Sequence, residues 1–432
     1  MNDFVDIELW NKKVGTLFWD KDKSLAVFEY EKKYLQTEWD IAPIIMPLKS
    51  SQNQVYEFAE NKNNCFRGLP GLVADSLPDA FGNQIIDQWF ASQGLPSNEC
   101  TPIDRLCYVG KRAMGALEFI PSEDHGLDSS SSIQINELTE LAKMVLNKRE
   151  EFCAHIKEAT EPILDILKVG TSAGGAKPKA IIAYNAKTGE VKSGQVKAPK
   201  DFGYYLLKFD GVEDLKISDN PMGIGKIEYA YYKMALDCNI LMTESRLLKE
   251  GEYRHFMTKR FDRLENGEKL HMQTLAAIAH YNRDQQYSYE QAFQIIRKLK
   301  LPYSDQEQFF RRMVFNVMAR NHDDHTKNHS FLMNQKGEWQ LAPAYDLSYS
   351  YSSTGRWTNQ HQMSLNGKRD NFEYSDLATI GNKMGILRFN DIINQIADVV
   401  SRWKEYAVNA EVREDHISQI EKNLLILHTA NK

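Results

Sequence analysis

The segment Asn321-His322-Asp323-Asp324-His325-Thr326-Lys327-Asn328 decides how this chain is interpreted. Asp323 and Asn328 stand five positions apart, which is the spacing of a protein-kinase catalytic loop. In such a loop the aspartate accepts the proton of the substrate hydroxyl, and the asparagine binds magnesium. Two short apolar runs and a turn follow, and they predict a hairpin that leads to a second metal-binding aspartate, Asp346. ATP-dependent phosphoryl transfer is therefore the leading hypothesis.

Two other interpretations of this segment stay open on the sequence alone. In the first, its polar residues form a loop that only caps the preceding helix. In the second, His322, Asp323 and His325 bind a metal, as in metal-dependent phosphohydrolases, which would need further ligands from other helices. In the kinase interpretation, His325 and Lys327 contact the transferring phosphate, and we expect Asp324 to be exposed.

The composition is that of an ordinary soluble globular protein. The chain has 432 residues, enough for two or more domains, with 42% hydrophobic and 26% charged residues. Its formal net charge of -6 gives no excess of base that would predict direct binding to nucleic acid. The five cysteines never form a CxxC pair, which favours a reducing compartment over a disulfide framework. No signal peptide or transmembrane run is evident, so we expect a cytoplasmic protein without a membrane partner.

The apolar pattern predicts a strand-rich first half and a helical second half. Alternation over the first forty residues predicts a small antiparallel sheet, and the serine-rich stretch 124–132 predicts an exposed linker. Beyond about residue 270 the pattern is helical apart from the hairpin at 330–342. Ser304 and Glu307 predict a capping box at the start of the helix that leads to Asp323. Further strands are predicted at 180–184, 204–209 and 256–258, and further helices at 135–146 and 227–238.

These elements predict an α+β protein with a two-lobed protein-kinase-like fold and nucleotide between the lobes. The N-terminal lobe would be strand-rich and the C-terminal lobe all-α. The predicted parts are a β-rich subdomain at 1–125, the rest of the N-terminal lobe with its phosphate-binding loop and hinge at 133–260, and a helical catalytic lobe at 261–432.

Three further segments are candidates for nucleotide binding. The glycine-rich segment 169–179 can cradle phosphates through backbone N–H groups, although it is neither a Walker A motif nor GxGxxG, and a plain glycine turn is the alternative. Lys208 lies on an apolar strand, where a lysine is costly unless paired, so a phosphate would suit it. The alternative is an edge-strand lysine that reaches water. Backbone groups at 259–263 could bind adenine, or this could be a charged surface turn.

Together, these segments resemble the HipA family of bacterial serine/threonine kinases, the toxins of toxin–antitoxin pairs. The resemblance extends over most of the chain. The string Asn-x-Asp-x-His-x-Lys-Asn paired with Pro-x-Tyr-Asp is highly specific. The residues that carry the resemblance are Leu77-Pro78-Asp79 with Gly82, Gly110 with Met114-Gly115-Ala116-Leu117, 172–179, Leu207-Lys208, 260–263, 321–328, 341–346 and 364–368.

The resemblance implies a role for each candidate site residue. Asp323 would be catalytic, and Asn328 and Asp346 would bind Mg²⁺. Adenine would be held by backbone at Lys259 and Phe261, with Asp262 near the ribose. Ser172 would be autophosphorylated. The full ATP-binding set would be Ser172, Gly174, Gly175, Lys179, Lys208, Lys259, Phe261, Asp262, His325 and Lys327.

The resemblance also implies partners. These are a small helix-turn-helix antitoxin like HipB, operator DNA reached through that complex, and a protein substrate from translation, such as an aminoacyl-tRNA synthetase. The location would be the bacterial cytoplasm. The chain departs from the family at Gln273-Thr274, where a Glu-Asp pair is common, and at Lys177-Pro178. These departures affect the expected substrate more than the expected chemistry.

Two alternatives to an active kinase remain at this point. One is a catalytically weak, nucleotide-binding co-repressor partner, and the other is the metal-dependent phosphohydrolase. A binding module has no need of a base at Asp323, so measured ATP turnover separates the first alternative from a kinase.

The first prediction concerns Ser172. A phosphate on this serine adds about -1.5 to -2 charges at neutral pH, which would repel ATP phosphates and switch the enzyme off. Ser172→Asp should lose ATP binding, whereas Ser172→Ala should keep it. Mass spectrometry after incubation with ATP should find the phosphate on Ser172. An active enzyme with no phosphate on either Ser172 or its neighbour Thr171 would contradict self-inactivation.

Overall fold

The computed structural model describes residues 2–78, 80–96, 99–122, 132–147, 166–167, 169–170, 177–212 and 222–429. The predicted linker lies almost wholly outside these residues, as do Ser172, Gly174 and Gly175. The chain forms two compact units. The first comprises Met1–Met222, Arg246–Gln273 and Met333–Gly337, and the second comprises Gly223–Ser245, Thr274–Leu332 and Glu338–Lys432. The three-part division and the two-lobed arrangement stay predictions.

The first unit begins with the antiparallel sheet that the sequence predicts. Its order is β4-β3-β2-β1-β5. Trp10 and Asn11 join the first two strands with φ of 48° and 62°, as a two-residue hairpin turn of the I′ type requires. Along β1, alternate side chains (Val5, Ile7, Leu9) are fully buried. The strands are β1 (Phe4–Leu9), β2 (Lys12–Asp20), β3 (Leu25–Tyr30), β4 (Val55–Glu57) and β5 (Leu117–Ile120).

A second sheet in the same unit has the order β7-β6-β8-β10-β9. It confirms the strands predicted at 180–184, 204–209 and 256–258. Four described helices also belong to the first unit, and three of them, α2, α3 and α4, contribute to one apolar core with β6 and β8. The strands are β6 (Lys179–Tyr184), β7 (Val191–Ser193), β8 (Gly203–Lys208), β9 (Ser245–Glu250) and β10 (Tyr253–Lys259). The helices are α1 (Gly71–Ala74), α2 (Ala80–Ser92), α3 (Pro102–Val109) and α4 (Ile135–Asn147).

The described part of the second unit is mainly helical. Tyr231 packs edge-on against Phe315 and Trp403 at its centre, with ring centroids 6.0 and 5.4 Å away. The helices are α5 (Ile224–Asp237), α6 (Leu275–Ala279), α7 (Tyr289–Lys298), α8 (Tyr303–Met318), α9 (Tyr374–Met384), α10 (Phe389–Ser401), α11 (Trp403–Asn409) and α12 (Glu414–Glu421).

Two predictions for the C-terminal half need correction. Strands β13 (Ser330–Met333) and β14 (Trp339–Leu341) confirm the predicted hairpin. The all-α description is wrong, because further strands also occur there: β11 (His271–Thr274), β12 (Tyr287–Ser288) and β15 (Met363–Ser364). The protein is therefore mixed α+β with several sheets, most of them antiparallel.

The predicted capping box at Ser304 and Glu307 is also wrong. The N-cap of α8 is Pro302, which makes no side-chain cap, so Ser304 falls within the first turn. The proline fixes φ near the helical value two residues before the predicted N-cap, Ser304. None of the helices in the described ranges is long and apolar enough to cross a membrane.

The second prediction arises from a buried polar pair in the first unit. His271 and Gln273 are both fully buried. The amide nitrogen of Gln273 donates to Ile41 O and lies 2.9 Å from His271 Nε2, so His271 accepts with that nitrogen. Burial lowers the pKa of His271 to about 3.

The His271 ring binds a proton more readily in the unfolded chain than in the folded protein. Its contribution to the free energy of unfolding is therefore complete above its ordinary pKa and falls as the pH drops below about 6.5. The loss should reach about 2 kcal/mol near pH 5. Urea unfolding of His271→Gln should show a shallower acid loss than the parent. His428→Gln, at a half-exposed ring, is the control for the loss of a histidine side chain outside the buried pair. Parallel curves for parent and His271→Gln would contradict this account.

Candidate active site

Helix α8 delivers the chain to the candidate catalytic loop, as the sequence predicts. Beyond its end, Ala319 O accepts a 2.6 Å hydrogen bond from the Tyr231 hydroxyl. Arg320 then takes a φ of 56°, which breaks the helix. Residues 321–325 have no regular secondary structure, and a 3₁₀ turn at Thr326–Asn328 leads into β13.

The same helix also holds the returning strand of the hairpin. Asp305 accepts a 2.8 Å hydrogen bond from Leu341 N, and the buried Arg312 donates to Ala342 O at 2.6 Å. One rigid element thus fixes both the start of the loop and the segment that leads to Asp346.

Asp323 has the exposure that a base for a protein hydroxyl needs. Its side chain is 52% exposed. Its backbone is held from two directions, because its N–H donates to Ser350 Oγ at 3.0 Å and its carbonyl accepts from Asn328 Nδ2 at 2.7 Å. His325 Nε2 lies 3.6 Å from Asp323 Oδ1. The carboxylate is therefore accessible on a fixed backbone.

Asp324 is buried, and the prediction that it is exposed is wrong. Its carboxylate accepts hydrogen bonds from Tyr289 Oη at 2.7 Å and Gln362 N at 2.7 Å, and it pairs with His361 Nδ1 at 2.9 Å. Burial raises its pKa, but His361 and the hydrogen bonds outweigh burial and hold the pKa below its usual range. Of the two adjacent aspartates, one is therefore buried and the other is exposed. The sequence does not indicate which one.

A chain of side-chain hydrogen bonds, here called the loop network, connects the two aspartates. Ser350 donates to Asn321 Oδ1 at 2.9 Å, and Asn321 donates to Asn316 Oδ1 at 2.9 Å. Asn316 in turn donates at 3.0 Å to Tyr289, whose hydroxyl reaches Asp324. Sequence reasoning missed Ser350, Asn316, Tyr289 and His361, because they lie far apart along the chain and match no local motif.

Asn328 and Asp346 carry the oxygen donors that Mg²⁺ prefers. Because the Asn328 amide nitrogen donates to Asp323 O, its amide oxygen is the atom suited to a cation. Asp346 takes a φ of 56°, a left-handed conformation that non-glycine residues adopt at a cost. The adjacent Tyr345 donates to Lys327 O at 2.7 Å, which ties this segment to the loop.

This donor set fits magnesium bound together with phosphate. In the described ranges, no group of three or more His, Cys, Asp or Glu side chains is arranged to hold a metal ion. One carboxylate and one amide oxygen suit a Mg²⁺ that takes its remaining ligands from phosphate and water.

His325 is neutral at physiological pH. Burial, then the charge of Arg283, lower its pKa to about 4 against the opposing effect of Asp346. Its Nδ1 accepts from Lys327 N at 3.2 Å, so Nε2 carries the hydrogen and can donate. The structure thus brings His325 together with Asp323 and the backbone of Lys327.

His322 does not share this position. It is fully buried, with its ring centroid 4.9 Å from Tyr351 and 4.0 Å from His361. A buried His322 and an exposed Asp323 do not form one open ligand set, which weighs against the phosphohydrolase interpretation.

In the first unit, Lys179 and Lys208 lie directly opposite each other on β6 and β8. Paired residues on antiparallel strands share one face, and like charges in that arrangement are destabilising. Lys179 is only 4% exposed, which adds to the cost of its charge. The predicted contact of this pair with phosphate stays a prediction.

The segment 259–263 combines a strand end with a buried ion cluster. Arg260 N donates to Tyr204 O at 2.9 Å, so the backbone polar groups of Arg260 point toward β8. Because these groups alternate in direction along a strand, those of its neighbours Lys259 and Phe261 point away from β8. Asp262 is fully buried and binds Arg260 and Arg263 at 2.7 and 2.8 Å. Its contacts give it a structural role, and its predicted place near a ribose stays a prediction.

Comparison with known proteins identifies the family. The HipA-like C-terminal domain model matches residues 171–403, and the HipA N-terminal domain model matches residues 5–120. The chain therefore belongs to the HipA family. It is homologous to the serine/threonine-protein kinase toxin HipA of Shewanella oneidensis, with 21% identity over 369 residues, or 79% of this chain and 74% of that protein.

A solved structure shares the fold. It contains HipA of Shewanella oneidensis with HipB and its operator DNA. The TM-score is 0.65 at 18% identity, and the match covers 97% of this chain and 95% of that chain.

The third prediction concerns Asp346. Asp346→Asn keeps the size of the side chain and tolerates positive φ but loses the charge, whereas Asp346→Gly also removes the backbone strain. Both variants should weaken binding of Mg-ATP far more than binding of metal-free ATP in calorimetry. The glycine variant should unfold at the same or a higher temperature, because relief of the strain offers about 1 kcal/mol.

Asn371→Gly is the matched control, since Asn371 also has a positive φ, of 53°. It should relieve strain without changing nucleotide affinity. Equal losses for Mg-ATP and metal-free ATP in the Asp346 variants would rule out the metal role.

Proposed function

We propose that this chain is an ATP-dependent serine/threonine protein kinase of HipA type and the toxin of a toxin–antitoxin pair. The observation that carries the proposal is the geometry of the loop. Asp323 is exposed on a backbone held at both its N–H and its carbonyl, and Asn328 makes one of those two bonds. Homology to a serine/threonine-protein kinase toxin supports the same chemistry.

In the proposed reaction, a protein hydroxyl oxygen forms a bond to the γ-phosphorus of ATP as the bond to the β–γ bridging oxygen breaks. ADP leaves, and Asp323 accepts the hydroxyl proton. Mg²⁺, when bound, neutralises charge on the phosphates, and Asn328 and Asp346 would hold it. His325 can donate a hydrogen bond from Nε2, and Lys327 supplies a positive charge next to it.

The other proposed contacts with ATP come from the first unit. Lys179 and Lys208 would bind phosphates, backbone at Lys259 and Phe261 would bind adenine, and Asp262 would lie near the ribose. Ser172, Gly174 and Gly175 would complete the phosphate contact, with autophosphorylation at Ser172. The division at 1–125, 133–260 and 261–432 belongs to the same proposal.

The proposed partners follow the solved relative, a HipA in complex with HipB and operator DNA. We expect a small helix-turn-helix antitoxin, operator DNA bound through that complex, and a protein substrate from translation, such as an aminoacyl-tRNA synthetase. The proposed location is the bacterial cytoplasm. A catalytically weak co-repressor is the second candidate, and turnover decides between the two.

The fourth prediction tests the base. Asp323→Asn should reduce phosphotransfer by at least about 100-fold, as expected for loss of a general base, while nucleotide binding persists. Radiolabelled ATP with purified enzyme measures the transfer, and calorimetry measures the binding. Overproduction of the parent should arrest growth, and Asp323→Asn should relieve the arrest. Arrest that survives the substitution would favour the co-repressor over the kinase.

A further inference from the structure

An ordered surface loop is attached at both ends to the two aspartates. Residues 351–360 form this loop, here called the docking loop. Before it, Ser350 Oγ accepts from the backbone N–H of Asp323 at 3.0 Å. After it, His361 Nδ1 lies 2.9 Å from Asp324 Oδ2, and Gln362 N donates to Asp324 Oδ1 at 2.7 Å. The loop therefore leaves and rejoins the protein beside the candidate base.

Hydrogen bonds within the docking loop hold its shape. Ser352 N donates to Thr358 O at 3.2 Å, Gly355 N to Ser352 O at 3.0 Å, and Asn359 N to Gly355 O at 3.2 Å. The side chain of Gln362, whose backbone binds Asp324, also donates to Trp357 O. Trp357 is thus connected to the buried aspartate through a single residue, so its position is coupled to that of the catalytic loop.

The tip of the docking loop displays a large aromatic side chain and a positive charge. Trp357 is 58% exposed, and the guanidinium of Arg356 lies 4.9 Å from the centroid of its ring. Arg356 is exposed, and residues 351–360 contain no acidic residue to balance it. Exposed tryptophan and arginine on an ordered surface are the side chains that contribute most to protein–protein binding. The loop that displays them is attached at both ends to the segment that contains the candidate base, so a protein bound at that segment is the partner we expect.

We propose that the docking loop binds the phosphoacceptor protein and selects a serine or threonine flanked by acidic and apolar residues. Trp357 would cover an apolar side chain of that segment, and Arg356 would pair with its carboxylate. This inference rests on the proposed kinase function and adds the substrate class to it. The partner's acidic character follows from the unbalanced charge of Arg356, and its location follows from the attachment of the loop to Asp323 and Asp324.

Two peptide libraries centred on serine test the proposal. Both carry the same apolar flanking residues, and one has glutamate where the other has lysine. Fluorescence polarisation measures binding, and radiolabelled ATP measures transfer, for the full chain and its variants. The parent should prefer the acidic library. Trp357→Ala should weaken binding and raise KM for the acidic library about tenfold, with kcat and the KM for ATP unchanged.

Arg356→Glu should reverse the preference toward the lysine library. Leu387→Ala is the control, since Leu387 is a 69% exposed apolar residue outside the docking loop, and it should change neither library. Equal binding of both libraries by the parent, or an unchanged KM in Trp357→Ala and Arg356→Glu, overturns the inference. Acidic preference lost in Arg356→Glu without any phosphotransfer by the parent would support the docking surface and refute the kinase function.

Discussion

The hydrogen bonds that satisfy the buried carboxylate of Asp324 are the interactions on which the arrangement of the second unit depends. A carboxylate removed from water is costly unless hydrogen bonds satisfy it. Here Tyr289, His361 and the backbone of Gln362 converge on it. These groups come from helix α7 and from the segment after the docking loop. Moving any of these segments would leave a buried charge without its hydrogen bonds. The free-energy cost of that loss therefore holds these distant segments together and fixes the position of the segment that contains Asp323.

The neighbouring aspartate benefits from this arrangement. Because Asp324 is anchored inward, Asp323 faces outward on a backbone that cannot shift without breaking the loop network. A general base works best when its position is set before the substrate arrives. The buried Asp324 thus positions the exposed Asp323. Two adjacent aspartates have different roles, one structural and one proposed as catalytic, because their surroundings differ.

Other positions show a local cost of the kind found at functional sites. Asp346 adopts a left-handed backbone conformation, and Lys179 and Lys208 face each other across two strands. Strain and like-charge pairing persist where the surrounding structure, or a ligand, compensates for them. At Gln273 and Thr274, where the resemblance leads us to expect a Glu-Asp pair, both side chains make hydrogen bonds. Gln273 donates to a carbonyl and a histidine, and the Thr274 side chain caps helix α6 at Ala277 N. One buried atom of this pair, Gln273 Oε1, has no hydrogen-bond partner among the described residues.

The sequence by itself determined the features that depend on local spacing. The alternation in β1–β3, the strands at 180–184 and 204–209, and the order of loop, hairpin and Asp346 follow from side-chain periodicity and motif spacing, which are properties of neighbouring residues. The tertiary structure alone decided which of Asp323 and Asp324 is buried, where α8 begins, and that strands beyond the predicted hairpin, such as β12 and β15, occur among the C-terminal helices. It also revealed the loop network, whose members Tyr289, Asn316 and Ser350 are brought together by folding. Burial and long-range hydrogen bonds depend on which segments are in contact in the folded protein. Periodicity along the chain does not indicate which distant segments will form those contacts.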